Sequence, residues 1–357
     1  MPSTAGFEVV GELTVGVLQQ ILEAAWDNTV IPHSVDIGPP LAFGPYQIEQ
    51  GVINIPRSGL SLVMAPGADN GVTITLAAEA QVEIANPPLP SLTFFDMDAD
   101  ISVTAGIAKL PDSIDVAIML AEVPRNKVSA TLTSGNPVPA ITLDLITDYV
   151  HEQYTNGTIP SYQSQEGVSF SGFTADVWVD IYDDQSAPSR RIEVSEPGPG
   201  QVKLRIPIHI RLSNIDGGSL PIPQPMGVVA RIALTADLVS SPGSMTAALS
   251  TATVAVEDFG PAPPSDGPID YGNEGANYSL AMAFMPALDS VMQTRIQQQG
   301  SAIVSAVGDI TVVVPTLAQI ESCLAPQAPP ALTAEGHIKQ WAPEPPPDSR
   351  VTHNHRV

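Results

Sequence analysis

The chain has 357 residues, of which 43% are hydrophobic, 15% are charged and 5% are aromatic. That length is enough for two ordinary domains with a sizeable core, and the core is predicted to be mainly aliphatic. Fourteen lysines and arginines against 38 aspartates and glutamates give a formal net charge of −24. A surface this acidic repels nucleic-acid phosphates and disfavours docking on anionic bilayers, so nucleic-acid binding is not expected.

Cysteine content and hydropathy indicate the cellular compartment in which the protein is expected. Cys323 is the only cysteine, so intramolecular disulfides are excluded. The first sixteen residues lack the basic region and uninterrupted apolar stretch of a signal peptide. No run of about 18 apolar residues is present, so no transmembrane segment is predicted. We therefore expect a cytoplasmic protein.

A helical stretch near the start of the chain has a counterpart in the second half. Thr14–Pro32 reads TVGVLQQILEAAWDNTVIP, and Thr142–Pro160 reads TLDLITDYVHEQYTNGTIP. Leu18, Ile21 and Leu22 are spaced as one face of a helix. Each copy ends in Asn followed by Ile-Pro, which stops the helix and continues the chain in an extended conformation. These matches predict a duplicated module.

Strand signals fill the rest of the first half. Val72–Ile84 alternates apolar and polar residues, which is typical of a half-buried antiparallel strand. Other strands are predicted at Val52–Ile55, Ser58–Met64, Leu92–Lys109, Ser113–Glu122 and Asn126–Thr133.

The second half follows a similar order. A helix is predicted over Thr142–Tyr154 and a strand over Val168–Tyr182. Gln201–Leu212 shows the clearest alternation in the chain, and it places His209 on the polar, exposed face of a strand. A hairpin is predicted around the turn SPGS, with arms at Gly227–Val239 and Met245–Val256.

The C-terminal third is predicted to be less regular. Gly260–Gly275 has the composition of a linker, and Tyr278–Phe284 is predicted to form a last strand. Pro286 suits the first turn of a helix that reaches Val307. The Pro-rich tail from Ala325 is predicted to be disordered. The predicted divisions are a first module at 1–135, a second at 136–260, a linker with closing strand and helix at 261–324, and a tail at 325–357.

No signature of catalysis or metal binding stands out. Asp96, Asp98 and Asp100 resemble the start of a calcium loop, but Ile101 takes the place of the required glycine, so the solvent face of a strand is predicted instead. The DFG tripeptide at 258–260 lacks the motifs that accompany it in kinases. The sequence has no HExxH, CxxC or nucleophile elbow. We therefore predict no enzymatic activity, no cofactor and no metal site.

An amphipathic helix, an Ile-Pro exit and long alternating strands together resemble the tubular lipid-binding superfamily, which includes bactericidal/permeability-increasing protein and lipid-transfer proteins. The likeness is greatest over Thr14–Ile84, where TVIP, GVINIP, SGLSLVM and VTITLAAEAQVEI follow the helix in the family's order. Thr142–Val256 looks similar, and Pro286–Val307 looks like the long closing helix of such modules. The resemblance implies an α+β fold of two tandem modules, each a helix wrapped by a strongly twisted antiparallel sheet, with a C-terminal closing helix and a disordered Pro-rich tail.

The resemblance also implies a function: non-enzymatic binding or transport of a lipid or other apolar ligand in a cavity between helix and sheet. Family members that bind lipopolysaccharide are secreted, basic and disulfide-bonded, whereas this chain looks more like bacterial members that are intracellular or accompany toxins. The alternative is a structural or complex-forming protein with a filled core, which has a protein partner or forms a homodimer. The candidate lining residues are Leu18, Ile21, Leu22, Ile74, Leu76, Ile146, Val150, Leu204, Ile206 and Ile208.

Overall fold

The computed structural model describes residues 14–29, 31–37, 40–43, 45–64, 71–85, 94–109, 116–119, 128–184, 190–218, 222, 224–266, 269–270, 273–324 and 337–339. These residues group into two compact units. Unit 1 comprises the described residues up to Pro137 together with those from Pro315 onward, and unit 2 comprises those of Val138–Val314. The predicted closing segment, 261–324, is therefore divided between them after Val314.

Long runs of strands separate the few helices in the described part of both units. The described helices are α1 (Val15–Asp27), α2 (Val138–Thr155), α3 (Asn273–Ala276), α4 (Tyr278–Val307) and α5 (Leu317–Leu324). The described strands are β1 (Ser34–Ile37), β2 (Leu41–Phe43), β3 (Tyr46–Asn54), β4 (Leu60–Met64), β5 (Gly71–Ala85), β6 (Phe94–Lys109), β7 (Val116–Met119), β8 (Val128–Ser134), β9 (Tyr162–Phe170), β10 (Phe173–Ile181), β11 (Glu193–Ser195), β12 (Gln201–Asp216), β13 (Met226–Ser241), β14 (Ser244–Ala247), β15 (Thr253–Pro261), β16 (Ser265–Asp266), β17 (Ile269–Asp270), β18 (Ile310–Val313) and β19 (His337–Lys339).

Each unit has its own curled antiparallel sheet. Among the described residues of unit 1, nine strands follow the order β1-β3-β5-β6-β7-β19, with β2 on β3, β4 on β5 and β8 on β6. In the described part of unit 2, eight strands follow the order β18-β14-β13-β12-β10-β9, with β11 on β12 and β15 on β13. The predicted α+β class is confirmed.

The period-2 pattern determines which side chains enter the core of unit 1. Val72, Ile74 and Leu76 on β5 are buried, as their alternation predicts. On the neighbouring strand β6, Asp96 and Asp98 are exposed. The interpretation of the aspartate run as the solvent face of a strand is therefore confirmed.

Helices α1 and α2 end in the same way. The chain leaves each helix through a residue with left-handed backbone, Thr29 at φ 58° and Gly157 at φ 82°. Ile31 and Ile159 then donate their N–H groups to carbonyls of the last helical turn, at 3.2 and 3.0 Å. Both isoleucines are only 1% exposed, so the exit is fixed by packing as well as by hydrogen bonds. The predicted helix stop is confirmed at both places, while the duplication of the module stays a prediction.

An aromatic side chain ties the end of each of these helices to the backbone at the end of a strand of its own unit. Trp26 Nε1 donates to the carbonyl of Ile55 at 2.9 Å in unit 1. The Tyr154 hydroxyl donates to the carbonyl of Ile181 at 3.1 Å in unit 2. A ring that buries its apolar body and bonds through its polar edge fixes the helix relative to its sheet.

The predicted strand over Val168–Tyr182 is wrong, because the segment contains a turn. Two strands, β9 and β10, pair through Phe170 and Phe173. Gly172 lies between them with φ 100°, a conformation that glycine adopts without steric cost. The Ser-Gly dipeptide at 171–172 is a turn signal, but the alternation around it hides the break.

Helices α2 and α4 both begin earlier than predicted. Helix α2 starts at Val138 rather than Thr142, and α4 starts at Tyr278, so the strand predicted there is wrong. The buried residues of α4 recur every three to seven positions, which is one face of a helix: Ala281, Leu288, Met292, Ile296, Gly300 and Ile303. Pro286 therefore lies inside the helix and not in its first turn.

The described part of the segment predicted to be a linker is packed against the sheet of unit 2. It includes the end of β15 and the short helix α3, which brings Glu274 onto His209 of β12. His209 Nε2 lies 2.6 Å from Glu274 Oε2, and both side chains are buried. The prediction that His209 is exposed is therefore wrong, since alternation along one strand cannot show what covers its outer face.

The tail predicted to be disordered contains one described strand. Residues His337–Lys339 pair antiparallel with Ala117–Met119 of β7. The rest of the tail from Ala325 lies outside the described residues.

Glu257 links two cations on the outer face of unit 2. It accepts from Lys203 Nζ at 2.5 Å and from Arg205 Nε at 2.9 Å. The hydrogen bond from Lys203, helped by Arg205, holds the pKa of Glu257 below its ordinary value of 4.5. A carboxyl with a lowered folded-state pKa stabilises the fold above its unfolded-state pKa and loses that contribution as the pH falls.

We expect Glu257→Gln to lower the free energy of unfolding at pH 7 by about 1 kcal/mol. The difference from the wild type should shrink as the pH falls below 4.5 and the wild-type carboxylate becomes protonated. Urea denaturation at several pH values measures this difference. A gap that stays constant down to about pH 3 would show that the charge of Glu257 contributes nothing.

Candidate functional site

A cavity of about 110 Å³ lies in unit 2 between helix α4 and strands β9, β10 and β12. Val177 and Val179 of β10 and Ile208 and Ile210 of β12 form its floor. Val179 pairs directly with Ile210 in the sheet register, so the four side chains share one face. The alternation of both strands therefore builds an apolar floor.

The roof of the cavity is the apolar stripe of α4. Met292 and Ile296 are one helical turn apart, and both line the cavity. Both side chains are also buried. Floor and roof together form an aliphatic slot without a charged group at its centre.

Polar side chains line the edge of the slot beside strand β9. Gln163 and Gln165 lie on β9, which forms an edge of the described sheet, and they face α4 beside Val179 and Val177. Gln299 Nε2 donates to Gln163 Oε1, and Arg295 Nη1 donates to Gln165 Oε1. We call these four side chains the rim. Because Arg295 and Gln299 are one turn apart, the two bonds join α4 to the edge strand.

Helix α4 makes its closest approach to the sheet further along. At Gly300 an added Cβ would lie 2.5 Å from Val254 Cγ1 and 2.9 Å from Ile232 Cγ2. Those neighbours belong to β15 and β13, so the helix contacts these strands directly. The gap lies where the helix passes β9 and β10, which explains why the cavity is on that side.

The predicted lining residues are buried, and one of them lies in this cavity. Nine of the ten are at most 2% exposed, and Ile21 is half-buried. Ile208 lines the cavity. The others of unit 2 belong to the same core, namely Ile146 and Val150 on α2 and Leu204 and Ile206 on β12. The predicted residues of unit 1 lie on α1 and β5, namely Leu18, Ile21, Leu22, Ile74 and Leu76.

Most residues of the cavity were missed by the sequence patterns. The helix predicted from Pro286 to Val307 includes Met292 and Ile296, but nothing in the sequence indicated which strands it covers. Gln163 and Gln165 precede the strand predicted over Val168–Tyr182, and in the sequence they look like surface residues. The hairpin that places them beside the helix depends on the turn at Gly172.

Two negative findings apply to the described residues only. In these ranges, no group of three or more His, Cys, Asp or Glu side chains is arranged to hold a metal ion. The helices within the same ranges are too short or too polar to cross a membrane.

Comparison with known proteins gives little further information. No protein-family model matches the chain, and no curated protein has a matching sequence. Among solved structures, the chain is similar to a crystal structure of lipopolysaccharide binding protein, with 9% sequence identity over 80% of this chain and 88% of that chain. The TM-score is 0.21, which is too low to carry an argument about either unit.

Proposed function

We propose that unit 2 binds an apolar molecule, such as the acyl chain of a lipid, in the cavity beneath α4, and releases it chemically unchanged. The observation that carries this proposal is the apolar floor and roof of the cavity, which lie beside the polar rim. Burial of each CH₂ group contributes about 0.8 kcal/mol, so a chain can bind without polar contacts.

The size of the cavity indicates how such a ligand would enter. An apolar cavity of about 150 Å³ takes up benzene, so a cavity of about 110 Å³ holds a short stretch of chain. A longer chain requires α4 to move away from β9, which breaks the two hydrogen bonds of the rim. These bonds contribute about 1 kcal/mol each, whereas burial of ten methylenes contributes about 8 kcal/mol. Burial of a long chain therefore offsets the loss of the two rim hydrogen bonds.

Two measurements test the proposal. Native mass spectrometry of the freshly purified protein should detect a bound apolar molecule, which solvent extraction then identifies. The protein stripped of ligand should bind a fluorescent fatty acid with a saturable curve. A purified protein without ligand that also fails to bind fluorescent fatty acids and phospholipids would contradict the proposal.

The rim should control how fast the ligand leaves. The double variant Arg295→Ala with Gln299→Ala removes both bonds between α4 and β9, and we expect dissociation of a fluorescent fatty acid to be about tenfold faster. Stopped-flow displacement measures this rate. Gln293→Ala is the matched control, because Gln293 bonds to Asp289 on its own helix. Equal rates in the double variant and the wild type would show that ligands do not pass the rim.

A second candidate is a complex-forming protein with a filled core. It is favoured by the burial of nine of the ten predicted lining residues at 2% exposure or less. Under this hypothesis the protein would co-purify with a fixed protein partner, or as a defined homodimer, and without lipid. Sedimentation analysis combined with lipid extraction distinguishes the two functions.

A further inference from the structure

One charged side chain lines the slot beneath α4. Within the described part of the chain, Arg295 is the only ionisable residue among those that line the slot. The other lining residues are apolar or uncharged and polar, and no described carboxylate is among them. The rim therefore carries one positive charge, in a chain whose formal net charge is −24.

The contacts that hold Arg295 do not neutralise its charge. Arg295 Nη1 donates to Oε1 of Gln165, which is a neutral amide oxygen, and Arg295 forms no ion pair with a carboxylate of the described residues. In contrast, five other cations each lie within ion-pair distance of a glutamate or aspartate: Arg57, Lys203, Arg205, Arg211 and Arg231. A guanidinium has five N–H donors, so Arg295 keeps both charge and donors for a ligand.

Arg295 also lies beside the apolar surfaces that a bound chain would contact. It is three residues from Met292 of the roof, so the two side chains are neighbours on one face of α4. Its partner Gln165 pairs with Val177 of the floor. The end of a chain that passes between Met292 and Val177 therefore comes within reach of the guanidinium.

We propose that the slot selects a long-chain carboxylate, an ionised single-chain fatty acid, over an uncharged molecule with the same chain, and that Arg295 binds the carboxylate. This inference rests on the apolar site proposed above and specifies its head group. The planar donors of a guanidinium match the two oxygens of a carboxylate. One guanidinium balances the single negative charge of a fatty acid, whereas a polyanionic head group would leave charge unbalanced.

A carboxylate also offsets the opening of the rim. When α4 moves away from β9, Arg295 loses the amide oxygen of Gln165. Hydrogen bonds in which the acceptor is charged are about twice as strong as those between neutral groups. A carboxylate therefore replaces the amide with a stronger acceptor, which an alcohol cannot do.

The acidic surface of the chain does not cancel this preference. The Debye length at physiological ionic strength is about 8 Å, so exposed carboxylates farther away than this are largely screened. The Arg295 side chain is half-buried and would contact the carboxylate at about 3 Å. The nearby guanidinium therefore outweighs the distant negative charges.

Calorimetric titration of the full chain with decanoate and with decanol tests the head group, because the two ligands share one chain. We expect Arg295→Gln to raise the dissociation constant of decanoate about tenfold and that of decanol less than about twofold. Arg295→Lys keeps the charge, so its dissociation constant for decanoate should stay within about threefold of the wild-type value.

Two further variants separate the charge from other effects. Arg191→Gln removes the same charge from an exposed residue outside the lining of the slot, and it should leave both affinities unchanged. Gln299→Ala removes the uncharged bond of the rim, so it should change both dissociation constants by the same factor.

The proposed head group is contradicted if Arg295→Gln changes the two affinities by the same factor or leaves that for decanoate unchanged. It is also contradicted if Arg191→Gln reproduces the effect of Arg295→Gln, or if Arg295→Lys binds decanoate as weakly as Arg295→Gln does. A wild-type protein that binds neither ligand would overturn both the apolar site and its head group. Saturable binding of both ligands with no selective effect at Arg295 would overturn the head group alone.

Discussion

Val179→Phe is expected to weaken the binding of a fatty acid to unit 2 at least thirtyfold. Val179 is half-buried in the floor of the slot, directly opposite Ile210 and beneath the roof of α4. A phenyl ring at this position occupies the space that the acyl chain would take. We expect the dissociation constant of a fluorescent fatty acid to rise at least thirtyfold, equivalent to about 2 kcal/mol. The variant should still fold, because the ring enters existing space and not a filled core.

The matched control is Val239→Phe. Val239 lies near the end of β13 and is 53% exposed, so the same substitution there changes the surface and leaves the slot intact. Fatty-acid binding by this control should equal that of the wild type. If Val179→Phe binds as tightly as the control, the ligand does not occupy the slot.

The second large effect concerns the segment that leads into α4. Glu274 of α3 bonds to His209 on the outer face of β12 and accepts from Arg211 Nε at 3.2 Å. Glu274→Ala leaves His209 buried without this carboxylate, and loss of one partner from a buried polar pair is strongly destabilising. We expect the free energy of unfolding to fall by about 3 kcal/mol, measured by urea denaturation.

Glu274→Gln separates the contribution of the size of this side chain from that of its charge. The amide keeps the size of the side chain and can still bond to His209 Nε2, so it should lose about half of what the alanine variant loses. A change of less than about 0.5 kcal/mol in Glu274→Ala would show that the contact between α3 and β12 contributes nothing to stability.

Local patterns predicted the parts of the fold that depend on local physics. The alternation of β5 and β12 correctly assigned their inner faces, because the side-chain period of a strand needs no information from its neighbours. The ends of α1 and α2 were also predicted, since the Asn and Ile-Pro residues act within one turn of the helix. The alternation along β12 also selected Ile208 as a candidate lining residue, and Ile208 lies in the slot.

The features that failed depend on partners far along the chain. Tyr278–Phe284 alternates in a way that suits a strand, and only the continuous stripe that includes Ala281 and Leu288 shows that it is helical. The environment of His209 depends on Glu274, which is 65 residues away. The slot itself depends on the distance between α4 and the edge strand β9. No periodicity within either element encodes that distance.

The most direct test of the apolar site is a crystal structure of the protein with a fatty acid that carries bromine on its chain. We expect an anomalous bromine peak in unit 2, between Met292 and Ile296 of α4 and Val179 and Ile210 of the sheet. A bromine peak elsewhere in the molecule, or a complex whose slot contains no bromine, would contradict it.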